Sequence, residues 1–347
     1  MYHELVLDIV YHVGVLLLIL IALLFVFLFL HRLWSIYRDR RMKQINAIWS
    51  QHMVDAIGGT VPKVPKIRRR DILTVLFLWN RFQETLIGES RDRLNELARN
   101  SGINHSARQL LMNGRLSQRL LAISTLGHMR DRDVWDRLTP FVVSSHTTLS
   151  VAAARALVQI NAEAAITLVL DQISSRDDWP PRKTATILQE AGADTISKPL
   201  VRTILDAPNP IKGRLLPYVE FIHQADASTV LRQLAQQTND PGVLSVCLRV
   251  MQDPVHLSLV RSHVRHPESH VRKEVAAALG RMGSKQDVKR LVGLLSDEAW
   301  YVRYEAAKAL TTLPFVDKPY LKRIQRSVAP RRAKKVLQHV IAEHGLS

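Results

Sequence analysis

The densest group of titratable side chains in this chain is His263-x-x-His266-x-x-x-His270. Three imidazoles that close could ligate a metal. Pro267 splits them across a turn, however, and no cysteine or carboxylate completes a tetrahedral set, so the spacing predicts a surface turn and no metal. Carboxylates pair at Asp131/Asp133 and at Asp177-Asp178, the latter followed by Trp179. Acid–base work is open to such pairs, but in turns the simpler job is helix capping. No phosphate-cradling glycine motif and no G-x-S-x-G occurs, so no cofactor and no catalytic residue is expected. The single cysteine, Cys247, cannot form an internal disulfide and is expected to be a core thiol. What remains is arginine chemistry. Arg137, Arg202, Arg232, Arg261, Arg290 and Arg323 recur at similar places along the chain. A row of guanidinium groups could hold carboxylate or phosphate; the competing reading is a set of solvated helix faces.

Those arginines are positioned by a repeat of about 31 residues. Leu126, Leu157, Leu188, Val219 and Val250 lie 31 apart, Leu279 comes two early, and Leu310 is again 31 on. Three residues before each stands Ile123, Ala154, Ala185, Leu216, Cys247, Ala276 or Ala307. That i, i+3 pairing predicts a first helix in each unit, and a second apolar-periodic stretch follows each turn. The six arginines fall on these second helices, 11 to 14 residues after the marker position. Self-similarity at this period is the signature of stacked helix pairs, none of which can bury its own apolar face alone. No segment alternates like a strand, so the expectation is an all-α protein.

Val271–Gly280 (VRKEVAAALG) aligns with Val302–Leu310 (VRYEAAKAL), and Leu149–Leu157 (LSVAAARAL) follows the same scheme without the arginine. This pattern resembles the HEAT repeat, in the short form of the phycobilisome-lyase-type HEAT-like family. The resemblance implies an α-solenoid of about seven units over residues 116–345. It implies that second helices line the concave face, and that Arg272 and Arg303 bond a neighbouring unit's turn. On function it is nearly silent.

Ahead of the repeats, residues 9–30 contain no Asp, Glu, Lys or Arg. As a helix they span about 33 Å, enough for a hydrocarbon core of about 30 Å. Residues 1–30 hold no basic residue, whereas 31–70 hold ten against Asp39 and Asp55. The positive-inside rule then predicts a single-pass inner-membrane protein, with residues 1–8 as a short external tail and the rest cytoplasmic. Residues 31–57 are expected to continue as a juxtamembrane helix, 58–70 to form a basic Pro-containing linker, and 71–115 to form divergent capping helices. The excess of charge gathers at the two ends, in Arg38, Arg40, Arg41, Lys43, Arg68, Arg69 and Arg70, and in Arg331, Arg332, Lys334 and Lys335. Anionic lipid or an acidic partner suits both clusters. Residues 71–317 are nearly balanced, with 30 basic and 26 acidic residues, which disfavours nucleic acid.

The favoured function is a non-catalytic, membrane-tethered scaffold or regulator of a protein partner, itself a membrane complex. The resemblance suggests companions of envelope or exopolysaccharide machinery such as a glycosyltransferase. The alternative is an enzyme or nucleic-acid binder on the same scaffold, like a bilin lyase or an alkylpurine DNA glycosylase. For the latter, Trp179 beside Asp177-Asp178 is the pair to inspect.

Overall fold

The computed structural model describes residues 2–60 and 67–343, with side chains from residue 16 onward and at 12 and 14. Positions 61–66 of the expected linker, including Lys63 and Lys66, and residues 344–347 lie outside the described residues, as does Met1. No strand occurs among the described residues. The chain is an all-helical α-solenoid and divides into two compact units, Met1–Leu138 and Thr139–Ser347.

The first unit opens with α1, Tyr2–Ile57, one helix of 56 residues. At ~1.5 Å per residue it is about 84 Å long. No proline interrupts it, and the expected span and juxtamembrane segment run on without a break. From Leu16 to Leu30 its apolar side chains are all exposed, and this helix is long and apolar enough to cross a membrane. Only near its end does it bury a face: Trp49, Met53 and Ala56, at helical spacing, are buried against α2 (Ile72–Thr85) and α3 (Glu89–Asn100). Gly59 ends the helix with φ 89°, in the left-handed region that favours glycine. Arg93 reaches back from α3 to bond the carbonyl of Ile57 at 3.1 Å.

The unit continues through α4 (Ile103–Asn113), α5 (Leu116–His128) and α6 (Trp135–Val142), the last of which straddles the boundary. Its core is less apolar than the sequence suggests. Gln83 donates to Asn95 Oδ1 at 2.8 Å, Asn95 donates to the His128 carbonyl, and Asn80 donates to Thr125 Oγ1 at 3.0 Å. These buried amides lock α2, α3 and α5 in one arrangement, because each would cost free energy if left unpaired.

The second unit is a run of helix pairs: α7 (Thr147–Ile160) with α8 (Ala162–Ser175), α9 (Pro181–Ala191) with α10 (Ala193–Asp206), and α11 (Asn209–Leu215) with α12 (Gln224–Gln237). Then come α13 (Pro241–Val250) with α14 (Leu257–Ser262), α15 (Ser269–Met282) with α16 (Val288–Leu294), α17 (Trp300–Thr312) with α18 (Lys318–Ser327), and a closing α19 (Arg331–Glu343). First helices pack on first helices, as in α13, α15 and α17; second helices pack on second helices, as in α8, α10 and α12. Asp and Asn start the helices as their side chains dictate: Asn161, Asp240, Asp253 and Asp317 each accept an N–H of the following turn.

The marker positions Leu157, Leu188, Val219, Leu279 and Leu310 are buried, but Val250 is only half-buried. Leu248, fully buried and 31 residues before Leu279, occupies the core there instead. The short interval therefore falls earlier, between Val219 and Leu248. At the start of that interval α11 has passed into a 3₁₀ segment, Leu216–Phe221. Ala185 is likewise half-buried, with Thr184 taking the core position. Helices approach most tightly where the sequence is smallest: a Cβ added at Gly280 would lie 2.8 Å from Ala309 Cβ.

Candidate functional site: a basic groove between second helices

Two of the six predicted arginines meet. Arg261 on α14 and Arg290 on α16 line one groove of about 730 Å³, together with Arg265, Arg272, Lys289 and Asp297. The groove exists because α14 and α16 are short. Each ends in a turn, 263–267 and 295–298, that leads back to the next first helix, and the space between them is bordered by long basic side chains.

Its electrostatics rest on two buried carboxylates. Asp287, with a side chain wholly shielded from solvent, accepts from Arg261 Nε at 2.8 Å and Nη2 at 2.7 Å, from Arg290 Nη1 at 3.2 Å, and from the Ser284 N–H at 2.9 Å. Burial alone would push this carboxyl up; the bonds from Arg261 and Ser284 outweigh it and hold Asp287 below the ordinary carboxylate range. Asp297 takes Arg272 bidentately at 2.7 and 2.9 Å and also accepts the Ala299 N–H. Its burial too is overcome by Arg272, and its carboxyl is lowered. Arg272 completes its donors on the carbonyls of His266 and Pro267, and Arg303 donates to those of Asp297 and Glu298. Arg272 thus reaches the turn of the next unit at Asp297, whereas Arg303 bonds the turn that precedes its own helix and not a neighbouring unit's.

Of the five basic side chains lining the groove, three take up the two carboxylates, Arg261 and Arg290 on Asp287 and Arg272 on Asp297. Arg265 and Lys289 are exposed, and no acidic partner accompanies either among the described residues. The groove offers them, with the outer edge of Arg290, to an anion. Sequence reasoning missed Arg265 and Lys289, and it missed the carboxylates that fix the other arginines. A signal was present: Arg249–Glu274 and Arg272–Asp297 are 25 apart and Arg261–Asp287 is 26 apart, a spacing that joins one unit to the next.

The other predicted residues are dispersed. Arg137 is exposed on α6 in the first unit. Arg202 is exposed beside Asp206 at 3.8 Å. Arg232 is exposed on α12, near enough to add to the lowering of the His256 pKa that burial begins. Arg323 lies over the Tyr320 ring at 5.4 Å. On α19, Arg331, Arg332 and Lys335 are exposed and Lys334 is half-buried, with Arg332 donating to the Ser296 carbonyl at 3.4 Å. The six arginines do not form one continuous row.

The remaining chemistry-bearing groups have structural jobs. Trp179 is buried and its indole donates to Ser150 Oγ at 3.1 Å. Asp178 is gripped by Arg176 and accepts from Thr147, which drives its carboxyl far down. Asp131 accepts both Arg108 and the Asp133 N–H. Burial pushes the Cys247 thiol up to about 12, so it is inert at neutral pH. His263 and His266 stack edge to face at 5.9 Å, and burial lowers the His263 pKa. No metal-ligating group of three or more His, Cys, Asp or Glu is found among the described residues.

No curated protein matches the chain. Residues 224–311, which contain the groove, match the family model for HEAT repeats. That stretch is therefore similar to HEAT repeats, and the stacked helix pairs of the second unit agree with a solenoid of such repeats.

Proposed function

We propose that the chain is a membrane-tethered HEAT-repeat scaffold that holds an acidic segment of a partner protein in the groove between α14 and α16. The observation that carries this reading is the surplus of cationic groups there, Arg265 and Lys289 above all, over the two carboxylates that neutralise their neighbours. Arg265 and Lys289 have no carboxylate of this chain to satisfy them and can take up the carboxylates of a partner in charge-assisted hydrogen bonds. The groove is also short: α16 has seven residues, about 10 Å of helix. Such a length suits a peptide segment better than a duplex, which needs a longer basic stripe.

The apolar stretch of α1 supplies the tether, and the basic residues after Leu30 favour a cytoplasmic solenoid at the inner membrane. Tethering raises the effective concentration near a membrane-bound partner, so modest groove affinity suffices. A partner in envelope or exopolysaccharide machinery agrees with this placement. The structural roles of Trp179 and Asp178 support the scaffold over a glycosylase-like reading. The test is capture of full-length protein from its native membrane in mild detergent, beside an Arg265→Glu/Lys289→Glu variant. A stoichiometric membrane partner held by the parent and lost from the variant is expected. Equal recovery by both would refute the groove as the binding surface.

A further inference from the structure

We infer that the first unit carries a binding site for anionic phospholipid headgroups, assembled from two basic runs that the Arg41–Asp71 ion pair joins: Arg38, Arg40 and Lys43 on α1, and Arg68 to Arg70 before α2. This rests on the reading of α1 as a membrane span. The runs are some thirty residues apart in sequence, and the ion pair brings them together. Arg41 donates to Asp71 through Nε at 2.8 Å and Nη2 at 2.6 Å, and the Asp71 N–H closes a turn onto the Arg68 carbonyl at 2.9 Å. The clamp is shielded, with the Asp71 side chain 9% exposed, whereas Arg38, Arg40, Lys43 and Arg68 to Arg70 are all exposed.

The level of this cluster along α1 identifies its ligand. After α1 ends at Ile57, the chain returns to start α2 beside Arg41, sixteen residues back along the helix. Arg41 is eleven residues beyond Leu30, about 16 Å along the axis. Headgroups extend about 5–8 Å outside the hydrocarbon core. Trp34 and Tyr37, both exposed, fall in or next to that layer, and the Arg38 guanidinium lies over the Trp34 ring at 5.0 Å. The two basic runs then stand just outside the headgroups, within about one Debye length of the surface. Acidic residues in the cluster are only Asp39 and Asp71, and Asp71 is spent on the clamp. Exposed cations spread over two chain segments at this level match a charged plane rather than an enclosed phosphate.

The experiment uses the full chain reconstituted in vesicles of phosphatidylcholine with phosphatidylglycerol. Resistance to alkaline extraction tests the span by itself; release would refute the tether, and with it this proposal, without bearing on charge. Native mass spectrometry then counts the lipids retained on the protein. Retention of phosphatidylglycerol over phosphatidylcholine is expected, weakening about fivefold for each basic residue removed in Arg68→Gln/Arg69→Gln/Arg70→Gln. Asp71→Asn removes a negative charge, so the net charge rises by one, yet it breaks the clamp. Retention should fall in it and return in the charge swap Arg41→Asp/Asp71→Arg, which keeps the net charge. Equal retention of the two lipids, or unchanged or stronger retention in a folded Asp71→Asn protein, would overturn the proposal. So would displacement by inorganic phosphate beyond that by chloride at equal ionic strength, which would mark a site for the free anion.

Discussion

Asp287→Asn separates the stability of the groove from its affinity, because the two should move in opposite directions. Asp287 receives both Arg261 donors, one from Arg290, and the N–H and Oγ of Ser284. An amide keeps the shape but turns an N–H toward Arg261 and removes the charge. Removing one partner of a buried ion pair costs about 3–5 kcal/mol when the other stays buried. Here Arg261 and Arg290 are 26% and 40% exposed and can turn to water, so a loss of roughly 2–3 kcal/mol is expected. For a unit of this size that corresponds to a fall of about 4–12 °C in the unfolding midpoint. Circular dichroism of the full chain in detergent reads the midpoint, and amide hydrogen exchange should place the loosening in α14 to α16. Meanwhile the released guanidinium groups add to Arg265 and Lys289, so a poly-glutamate peptide should bind more tightly. An unchanged midpoint with unchanged exchange would refute Asp287 as the hub. Weaker peptide binding by a folded variant would refute the groove as an anion site.

The depressed carboxyls predict an acid limit. Asp287 and Asp297 lie below their ordinary value of 3.8, so their contribution is complete above that pH and is lost as pH falls through the folded values. From pH 7 to 5 only a shallow loss is expected, from His256 and His263, whose buried rings resist protonation; the midpoint should drop further below about 4, less steeply in Asp287→Asn, and a drop already complete at pH 5 would contradict this. Gly280→Ala sets a methyl 2.8 Å from Ala309 Cβ and 2.9 Å from its Cα. Overpacking of about 1–3 kcal/mol should exceed the helix-propensity gain of ~1 kcal/mol, and a raised unfolding midpoint would show that α15 and α17 are not closely packed. Ser150→Ala removes the acceptor of the Trp179 indole and of Arg176; urea unfolding should show a loss of about 1–3 kcal/mol, and no loss would remove Trp179 from its structural role.

The architecture was legible because stacking imposes period and apolar identity together. Leu157, Leu188, Leu279 and Leu310 are spaced by the size of one helix pair and buried by the same neighbours. Legibility failed where the spacing between core positions departs from the period. Beside the 3₁₀ segment Leu216–Phe221 the interval shortens, and Val250, at the regular spacing, stands where Leu248 fills the core. The site was half legible. Arg261 and Arg290 fell on second helices as the period required, but which arginines are free depends on carboxylates some 25 residues away, which a periodic pattern does not display. Buried amides such as Gln83 and Asn95 were invisible for a related reason: a polar residue at a core position breaks the apolar pattern that reveals the core.

Arginine is plentiful here, and its surplus is not by itself a map of binding surface. Arg93 bonds the carbonyl that ends α1; Arg214 bonds the carbonyls of Ile173, Ser174 and Arg176 at the end of α8; Arg281 bonds those of Leu248, Arg249 and Met251 at the end of α13. In each case a guanidinium from a later helix satisfies the orphan carbonyls of an earlier one, where the helix dipole also favours a cation. These arginines hold the stack together and are unavailable to a ligand. Arg272, Arg303 and Arg261 are committed in the same way to turns and carboxylates. A cation is offered outward only where such acceptors run out; Arg137 and Arg232 are such cations, each alone on its helix, whereas Arg265 and Lys289 fall together in one groove. The groove is therefore distinguished less by how many basic residues it contains than by how few carbonyls and carboxylates remain to occupy them.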